Sequence, residues 1–276
     1  MWAKILLAVL CVVMIAGAVH FDPARQRTLL ATKPHDGPQL RLMTWNIGYA
    51  EREVDTRAHS SDLRAVAHTI MRNDPDAVAL QELTGPDQLK ILLGLLSGRY
   101  RGAVAPAGNS DRVEAVLVKD RDAGFDNVQS GSRYAPGAIF HLTGNGPDLV
   151  LVSAHADAFS AAKRRAYVGD IVDWTRTRPN SAIVFVAGDL NFELSAGDQS
   201  YFYTDNVKHD SESYSYVLKY FRDLGRDAGD TAINDRRIDY VFGPAGETVL
   251  LRRAEVLRGA AVGRMDHWPV VVEVGL

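Results

Sequence analysis

This sequence of 276 residues contains a single cysteine and carries little net charge. The single cysteine, Cys11, lies in an apolar run near the amino terminus, so the rest of the chain must be stabilised by its hydrophobic core rather than by a disulfide. No Cys or His residues have the spacing typical of a zinc site. The formal net charge of −3 is too small to indicate a nucleic-acid-binding protein by bulk electrostatics, and it does not exclude one.

The first 20 residues have the pattern of a secretory signal. Lys4 precedes an uninterrupted apolar run over residues 5–19, and the small residues Ala16, Gly17 and Ala18 offer a cleavage site. The run is shorter than the roughly 20 residues that span a bilayer comfortably, and an uncleaved membrane anchor is the alternative. We therefore expect an exported bacterial protein that is periplasmic, secreted, or attached to the membrane through residues 5–19 with its domain outside.

Residues 21–39 predict a linker, because Pro23, Pro34 and Pro38 lie among charged residues and no hydrophobic periodicity is present. Residues 40–276 then predict one folded domain, since 46% of the chain is apolar and can fill a large core. We expect this domain to be a monomer.

Short apolar runs alternate with helical patterns throughout this domain. The clearest helix has a stripe at Leu63, Val66, Ala67 and Ile70 that stops before the turn residues at 73–75. Further helices are predicted around residues 87–96, 161–175 and 213–224, and strands at 40–45, 77–81, 113–118, 149–154, 182–187, 238–242, 248–255 and 268–274. Because many of the strands are apolar on both faces, the pattern predicts an α/β fold of two packed mixed β-sheets flanked by helices.

Polar residues stand at the ends of these buried runs, where buried strands ordinarily avoid them. The set consists of Asn46, Glu82, His155, Asp189, Asn191, Asp239, Asp266 and His267. Each residue alone is most simply explained as a turn former, a helix cap or a structural histidine. Together they require another explanation, because carboxylates gathered at one place repel one another unless a cation neutralises them.

The chemistry of the set favours hydrolysis of a phosphate ester. Glu82 with Asp266, joined by Asn46 and Asp189, would supply the oxygen ligands that suit Mg²⁺, with Mn²⁺ or Ca²⁺ as alternatives. A cation offsets the charge of the phosphate, and a histidine can take up or give a proton near neutral pH.

The motifs TWNI, LQE, SAH, GDLN, RIDYVF and MDHWPV follow one another over nearly all of the predicted domain. In this order they resemble the endonuclease/exonuclease/phosphatase superfamily, which includes DNase I-like nucleases, bacterial sphingomyelinases and inositol polyphosphate phosphatases. The resemblance implies a four-layer α/β sandwich and a metal-dependent phosphoesterase. Any single motif is weak, but the combination is specific.

The resemblance also implies roles for the individual residues. Asn46 and Glu82 fall at the divalent-metal site, with Glu82 as the principal ligand, and Asp266 is the acid near the metal. His155 falls at the histidine on the leaving side of the phosphate, and His267 at the histidine that acts as base or charge stabiliser. The remaining implied roles are these: Asp189 serves the metal or the attacking water, Asn191 binds a phosphate oxygen, Asp239 orients His267, and Glu114 orients His155.

The substrate is less well determined than the chemistry. Basic residues close to the motifs could form a rim that grips phosphates, or they could be solvated charges: Lys163, Arg164, Arg165, Arg236, Arg237 and Arg264. Aromatic residues between 201 and 220 could stack on bases, although Tyr214 has the helical spacing of a core residue. We expect a nuclease, with a phospholipid or phosphoinositide headgroup as the alternative substrate, and a non-catalytic binding module as the alternative to an enzyme.

Overall fold

The computed structural model describes residues 37–48, 50, 56–108, 111–120, 122–144, 146–194 and 204–276. They fall in one compact unit, Gly37–Leu276. The predicted signal or anchor and nearly all of the predicted linker lie outside these residues. Within them, no helix combines the length and the apolar character that a membrane crossing requires.

The described residues form twelve strands and four α-helices. In chain order these are β1 Gln39–Asn46, α1 Thr56–Asn73, β2 Ala77–Leu83, α2 Pro86–Leu95, β3 Arg101–Val104, β4 Val113–Val118, β5 Gly124–Ser130, β6 Arg133–Phe140, β7 Leu149–His155, α3 Ala161–Arg176, β8 Ile183–Asp189, α4 Val207–Val217, β9 Phe221–Asp223, β10 Asp239–Pro244, β11 Leu250–Val256 and β12 Val270–Gly275. A single 3₁₀ turn, Arg258–Ala260, precedes β12.

The strands form two sheets of six, which confirms the predicted architecture. The first sheet has the order β11-β12-β1-β2-β4-β3, and the second has the order β5-β6-β7-β8-β10-β9. Both sheets are mixed: β1 runs parallel to β2 and β7 runs parallel to β8, whereas the other neighbours are antiparallel.

Three apolar layers hold the sandwich together. One layer, with Leu42, Leu151 and Phe185, contains buried residues of both sheets. The second joins the first sheet to α1 and α2, and the third joins the second sheet to α3 and α4. Since each fully buried aliphatic or aromatic side chain contributes roughly 1.5–3 kcal/mol, three such layers stabilise the domain without a disulfide.

The parallel pairs place the polar motifs at one end of the sandwich. A helix crosses over from β1 to β2 and another from β7 to β8, so the carboxyl ends of all four strands carry Asn46, Glu82, His155 and Asp189. The antiparallel neighbours bring the beginnings of β4, β10 and β12 to the same end. Residues distant in sequence therefore meet through strand direction alone.

Two details of the predicted elements are wrong. The segments β3, β5, β6 and β9 were not predicted: β3 and β9 are short, β5 is mostly exposed, and Pro136 and Gly137 interrupt the strand pattern of β6. The predicted helix at 213–224 instead begins at Val207, after the N-cap Asn206, and ends at Val217. Phe221–Asp223 then pairs with β10, so the ladder hydrogen bonds override the helical spacing.

Candidate active site

A polar ladder links the two sheets just below the predicted site. Thr44 donates to the Gln81 side chain at 3.3 Å, and Gln81 Nε2 donates to Ser153 Oγ at 3.0 Å. Ser153 Oγ in turn donates to the carbonyl of Leu80 at 3.0 Å. All three side chains are fully buried. Because buried polar groups are costly without partners, the ladder fixes the second sheet against the first where the catalytic motifs end.

Asn46 connects the carboxylates of both sheets. Its Nδ2 donates to Glu82 Oε1 and to Asp189 Oδ2, each at 3.1 Å, while its Oδ1 accepts from the backbone N–H of Gly48 at 2.9 Å. A Cβ at position 48 would lie 2.5 Å from Glu82 Oε2, so any larger residue there would displace the Glu82 carboxylate. The amide of Asn46 is therefore an orienting group for two acids, and its predicted role as a metal ligand stays a prediction.

A backbone irregularity sets the direction of the Glu82 side chain. The pairing of β2 with β4 shifts register between Leu80 and Leu83, and Glu82 has a φ of 60°. A bulge of this kind redirects a side chain, and a left-handed backbone at a non-glycine residue costs about 1–3 kcal/mol. Asn191, in the GDLN motif, has a φ of 52°. Strain at both positions is consistent with a site that the fold maintains against its local preference.

The GDLN motif also requires its glycine. Gly188 has a φ of 147°, and a Cβ there would lie 1.9 Å from the carbonyl oxygen of Ala154. The close approach holds β8 against β7, so that Ala156 donates its N–H to the carbonyl of Asp189 at 2.9 Å. Asn191 donates its backbone N–H to Asp189 Oδ1 at 3.0 Å and its side-chain Nδ2 to the carbonyl of Ala156 at 3.3 Å.

Two carboxylate–imidazole pairs converge on Asp189. His155 Nδ1 lies 3.1 Å from Glu114 Oε1, and His267 Nδ1 lies 2.9 Å from Asp239 Oδ2. The other ring nitrogens face inward: His155 Nε2 is 3.8 Å and His267 Nε2 is 3.7 Å from Asp189 Oδ2. The structure thus brings together both pairs that were predicted from the sequence, including the pairing of Glu114 with His155.

The charges of the two pairs hold both imidazoles protonated in the metal-free protein. Burial lowers the pKa of His155, but the hydrogen bond to Glu114 and the charge of Asp189 outweigh it and raise the pKa to about 9. Burial likewise opposes the charge of His267, but Asp239 and Asp189 raise its pKa to about 10.

Burial and neighbouring charges shift the pKa values of the carboxyl groups in the cluster. Burial raises the pKa of Asp189, with Asp239 adding to the shift and His267 opposing it. Burial also raises the pKa of Asp266, and Glu82 and Asp239 increase it further, which places Asp266 in the same electrostatic field as the cluster. For Glu82, burial is outweighed by His155 and by the Asn46 hydrogen bond, so its pKa is lowered.

The donor set of this cluster fits a hard divalent cation. The Asn46 amide links the carboxylates of Glu82 and Asp189, Asp266 interacts electrostatically with Glu82 and Asp239, and the buried Oδ1 of Asp239 has no hydrogen-bond partner among the described residues. Asp189, Asp239 and His267 also bring possible ligand atoms within 4.8 Å of one another. However, His267 Nδ1 is engaged by Asp239, and its raised pKa opposes the neutral imidazole that a metal needs. The oxygen-rich side around Glu82 is therefore the better candidate.

The predicted basic rim is largely wrong, because most of its members are engaged in structural contacts. Arg164 is fully buried against Asp210. Arg236 pairs with Glu193 at 2.5 Å, Arg237 pairs with Asp223 at 2.5 Å, and Arg165 stacks on Tyr216 at 3.5 Å from the ring centroid. Lys163 and Arg264 are exposed, which fits either a phosphate-binding rim or solvated charges. Tyr214 packs in the core as expected, and residues 201–203 lie outside the described part of the chain.

Sequence reasoning missed a groove beside Glu114. It has a volume of about 700 Å³, and its lining includes Arg112, Arg133 and Lys163 together with Asp157. Arg112 lowers the pKa of Glu82, and Arg133 Nη1 donates to the carbonyl of His155 at 3.3 Å. The one sequence signal for this groove was the position of Arg112 two residues before Glu114.

Comparison with solved structures gives the same architecture. The matches include an endonuclease/exonuclease/phosphatase from Bacteroides vulgatus (17% identity, TM-score 0.65, covering 87% of this chain and 99% of that one) and one from Beutenbergia cavernae (21%, TM-score 0.63, 86% and 72%). D. rerio TDP2 in complex with a single-strand DNA product is also similar (15%, TM-score 0.63, 86% and 99%). No curated protein matches the sequence.

The family is established by a sequence match. The family model described as "Endonuclease/Exonuclease/phosphatase family" matches residues 43–261, which is most of the chain. The matched range contains Asn46, Glu82, His155, Asp189 and Asp239. The chain therefore belongs to the endonuclease/exonuclease/phosphatase family, whose members are usually metal-dependent phosphoesterases.

Proposed function

We propose that this protein is a divalent-metal-dependent phosphodiesterase and that its activity is that of an exported nuclease. The observation that carries the proposal is the convergence of two protonated imidazoles on one carboxylate, with His155 Nε2 and His267 Nε2 at 3.8 Å and 3.7 Å from Asp189 Oδ2. A pair of buried cations facing a carboxylate suits a phosphate group, which carries negative charge and is attacked by water.

Glu82 and Asp266 would hold the cation, with Asp189 and Asn46 beside them. When bound, the cation would offset the charge of the phosphate oxygens. The chain's own residues supply the remaining functions. Asp189, whose pKa is raised, orients the attacking water and accepts its proton.

The two imidazoles then have different tasks. His267, the more deeply buried of the two, hydrogen-bonds a phosphate oxygen as it gains charge, and Asp239 holds its ring in place. His155 lies next to the groove that Glu114 lines, so it donates its proton to the departing oxygen. The raised pKa values favour proton donors at both positions, rather than the base that the family resemblance allowed for His267.

A nucleic acid is the substrate that the surroundings support best. The groove beside His155 presents Arg112, Arg133 and Lys163, although Asp157 partly neutralises the last two at 3.5 Å and 3.6 Å. Such side chains contact phosphates that flank the reacting one. A relative of the same fold, D. rerio TDP2, is described in complex with single-strand DNA product, which supports the same substrate class for this chain.

A phospholipid headgroup is the second candidate, and exposed apolar side chains favour it. Phe159, four residues after His155, is 67% exposed, and Ile233 is 42% exposed. Ile233 donates its backbone N–H to the carbonyl of Asp266 at 2.9 Å, so both residues stand close to catalytic segments. Apolar groups at this rim would contact the hydrocarbon region next to a lipid headgroup.

A substrate panel tests the proposal. The purified full-length chain is assayed on plasmid DNA, single-stranded DNA, sphingomyelin and inositol phosphates, with Mg²⁺ or with a chelator. We expect DNA hydrolysis that the chelator abolishes and that His267→Ala reduces by a factor on the order of 10² or more. His141→Ala is the matched control, because His141 pairs with Asp148 at 2.8 Å at the opposite end of the second sheet.

The outcomes of the panel are distinct. Higher turnover on sphingomyelin than on DNA would replace the nuclease with the headgroup hydrolase. No metal-dependent turnover on any phosphate ester would contradict the enzyme and leave the non-catalytic binding module.

Export is proposed because Lys4 precedes an apolar run at residues 5–19 that contains small residues near its end. A fusion of alkaline phosphatase to the carboxyl terminus in a bacterial host measures it, because this reporter is active only outside the cytoplasm. Activity that requires residues 5–19 is the expected result, and an inactive fusion would contradict export.

A further inference from the structure

Arg164 and Asp210 form a fully buried ion pair behind the active site. Both side chains have no exposed surface. Arg164 lies in the first turn of α3, and Asp210 lies in the first turn of α4. The guanidinium binds the carboxylate through two parallel hydrogen bonds, Nε to Oδ1 at 2.7 Å and Nη2 to Oδ2 at 2.8 Å. This bidentate geometry is among the most specific that an ion pair can form.

The pair makes further hydrogen bonds to two loops that leave catalytic strands. Arg164 Nη1 donates to the carbonyl of Asp157 at 2.6 Å, and Asp210 Oδ2 accepts the backbone N–H of Glu193 at 3.3 Å. Arg164 Nη2 also donates to the hydroxyl of Thr204. Asp157 is two residues after His155, and Glu193 is two residues after Asn191.

The loop after His155 is held on its other side as well. The carboxylate of Asp157 accepts the backbone N–H groups of Phe159 and Ser160 at 3.0 Å and 2.9 Å. Arg133 lies 3.5 Å from the same carboxylate and donates to the carbonyl of His155. The backbone of this loop is therefore fixed at Asp157 from two directions. From α3, Arg164 bonds the carbonyl of Asp157, and the exposed Lys163 lies 3.6 Å from its carboxylate.

Packing alone does not require an ion pair at this place. Burying two charges removes them from water, and well-packed apolar residues of similar volume often serve stability equally well. Apolar residues could not, however, bond the carbonyl of Asp157, the hydroxyl of Thr204 and the N–H of Glu193. What the pair adds to the fold is thus a set of fixed distances between α3, α4 and the two catalytic loops.

We propose that the Arg164–Asp210 pair is a positioning device that holds the loop after His155 in register with the loop after Asp189. Neither residue touches the reacting atoms. The pair acts through Asp157 and Glu193, and so sets the separation of the His155 imidazole from Asp189. A displacement near 1 Å in such an arrangement can reduce a catalytic rate by about 10²-fold.

The test replaces the pair by the apolar variant Arg164→Met with Asp210→Leu, which leaves no unpaired buried charge. The control is Arg41→Met with Glu273→Leu, an Arg–Glu pair at the far end of the first sheet, where Arg41 Nη2 and Nε lie 2.9 Å and 3.0 Å from the same oxygen, Glu273 Oε1. Native-state amide hydrogen exchange is measured for residues 156–160 and 190–193, and kcat and KM are measured on single-stranded DNA.

We expect the apolar variant to stay folded with a lower thermal midpoint, because the Asp157 carbonyl and the Glu193 N–H lose their partners, while exchange in those two segments rises by about tenfold or more beyond any rise in the rest of the domain. The value of kcat should fall on the order of 10- to 100-fold with KM within about threefold, because substrate contacts remain while alignment is lost. The control pair should change neither quantity. Unchanged exchange and kcat in a folded apolar variant would overturn the proposal.

A second variant keeps the inference testable if the apolar pair does not fold. Arg164→Lys keeps the charge of the pair but lacks the planar fork that bonds Asp210, Asp157 and Thr204 together, and it should show the same two effects at smaller size; wild-type behaviour would overturn the proposal. The activity measurement rests on the proposed function, whereas the exchange measurement does not. An inactive wild type would therefore refute the function while exchange still decides the positioning role.

Discussion

The two histidine pairs of the active site differ in depth and in what lies beside them. Asp239 is almost fully buried and lies 2.9 Å from His267, whereas Glu114 is more exposed, lies 3.1 Å from His155 and lines the groove of about 700 Å³. The pKa of His267 is raised to about 10 and that of His155 to about 9. The buried pair is suited to holding charge, and the pair at the groove is suited to passing a proton to a group that leaves.

The largest expected effect is on kcat, and it distinguishes His155 from His267 when the leaving group of the substrate is changed. His155→Ala should reduce kcat on DNA by about 10²-fold or more but should change hydrolysis of bis(p-nitrophenyl) phosphate much less, because p-nitrophenolate leaves without a proton. His267→Ala should reduce kcat by about 10²-fold or more on both substrates. Steady-state kinetics with both esters measures this, and equal losses for the two variants on both esters would contradict the division of roles.

Replacing the carboxylate partner of each histidine should also reduce kcat, with smaller losses than replacing the histidines themselves. Asp239→Asn should reduce kcat more than Glu114→Gln does, about 10²-fold against about tenfold, because the buried pair has less water to replace the lost charge. The measurement is kcat on DNA for both variants, with Asp148→Asn as the control at the remote His141 pair. A larger loss for Glu114→Gln would reverse the comparison.

The metal-free protein should lose stability as the pH rises. Both histidines have a folded-state pKa above the ordinary 6.5, so their contribution to stability is complete below about pH 6.5 and is lost as the pH passes through about 9 and about 10. Urea unfolding in the presence of a chelator, from pH 6 to pH 10, measures the change. The His155→Ala/His267→Ala double variant should show a flatter profile than the wild type, and parallel profiles would contradict the raised pKa values.

The smallest effect is expected at the rim. Lys163 is 73% exposed and lies 3.6 Å from Asp157, so Lys163→Ala should raise KM for DNA by no more than about threefold and leave kcat unchanged. The effect should decrease further at high salt, since an exposed charge is screened. A large fall in kcat would show that the side chain acts in the chemistry instead of near it.

The sequence predicts at which end of the sandwich the site lies. Polar residues that directly follow buried apolar strands are visible in the sequence alone. Asn46, His155 and Asp189 each follow an apolar run, and the structure joins them within hydrogen-bonding or near-contact distance. The pairing of Glu114 with His155 was predicted as well. These predictions succeed because strand direction alone determines where such residues meet.

Other features depend on contacts that no local pattern encodes. Arg164 is adjacent to two further basic residues and was predicted at the surface, yet it is fully buried because Asp210, 46 positions away, provides a partner. The direction of the Asn46 amide follows from the N–H of Gly48. Residues Phe221–Asp223 form a strand because they pair with β10, although their apolar residues have helical spacing.

The position of a bound cation tests the central claim most directly. Crystals of the full-length chain with Mn²⁺ locate the ion by its anomalous scattering. The account predicts an ion bound by oxygen atoms of Glu82 and Asp266, with the Nε2 atoms of His155 and His267 free to contact a phosphate. An ion ligated by His267 together with Asp189 and Asp239 would contradict it, because the imidazole could then not serve as a hydrogen-bond donor.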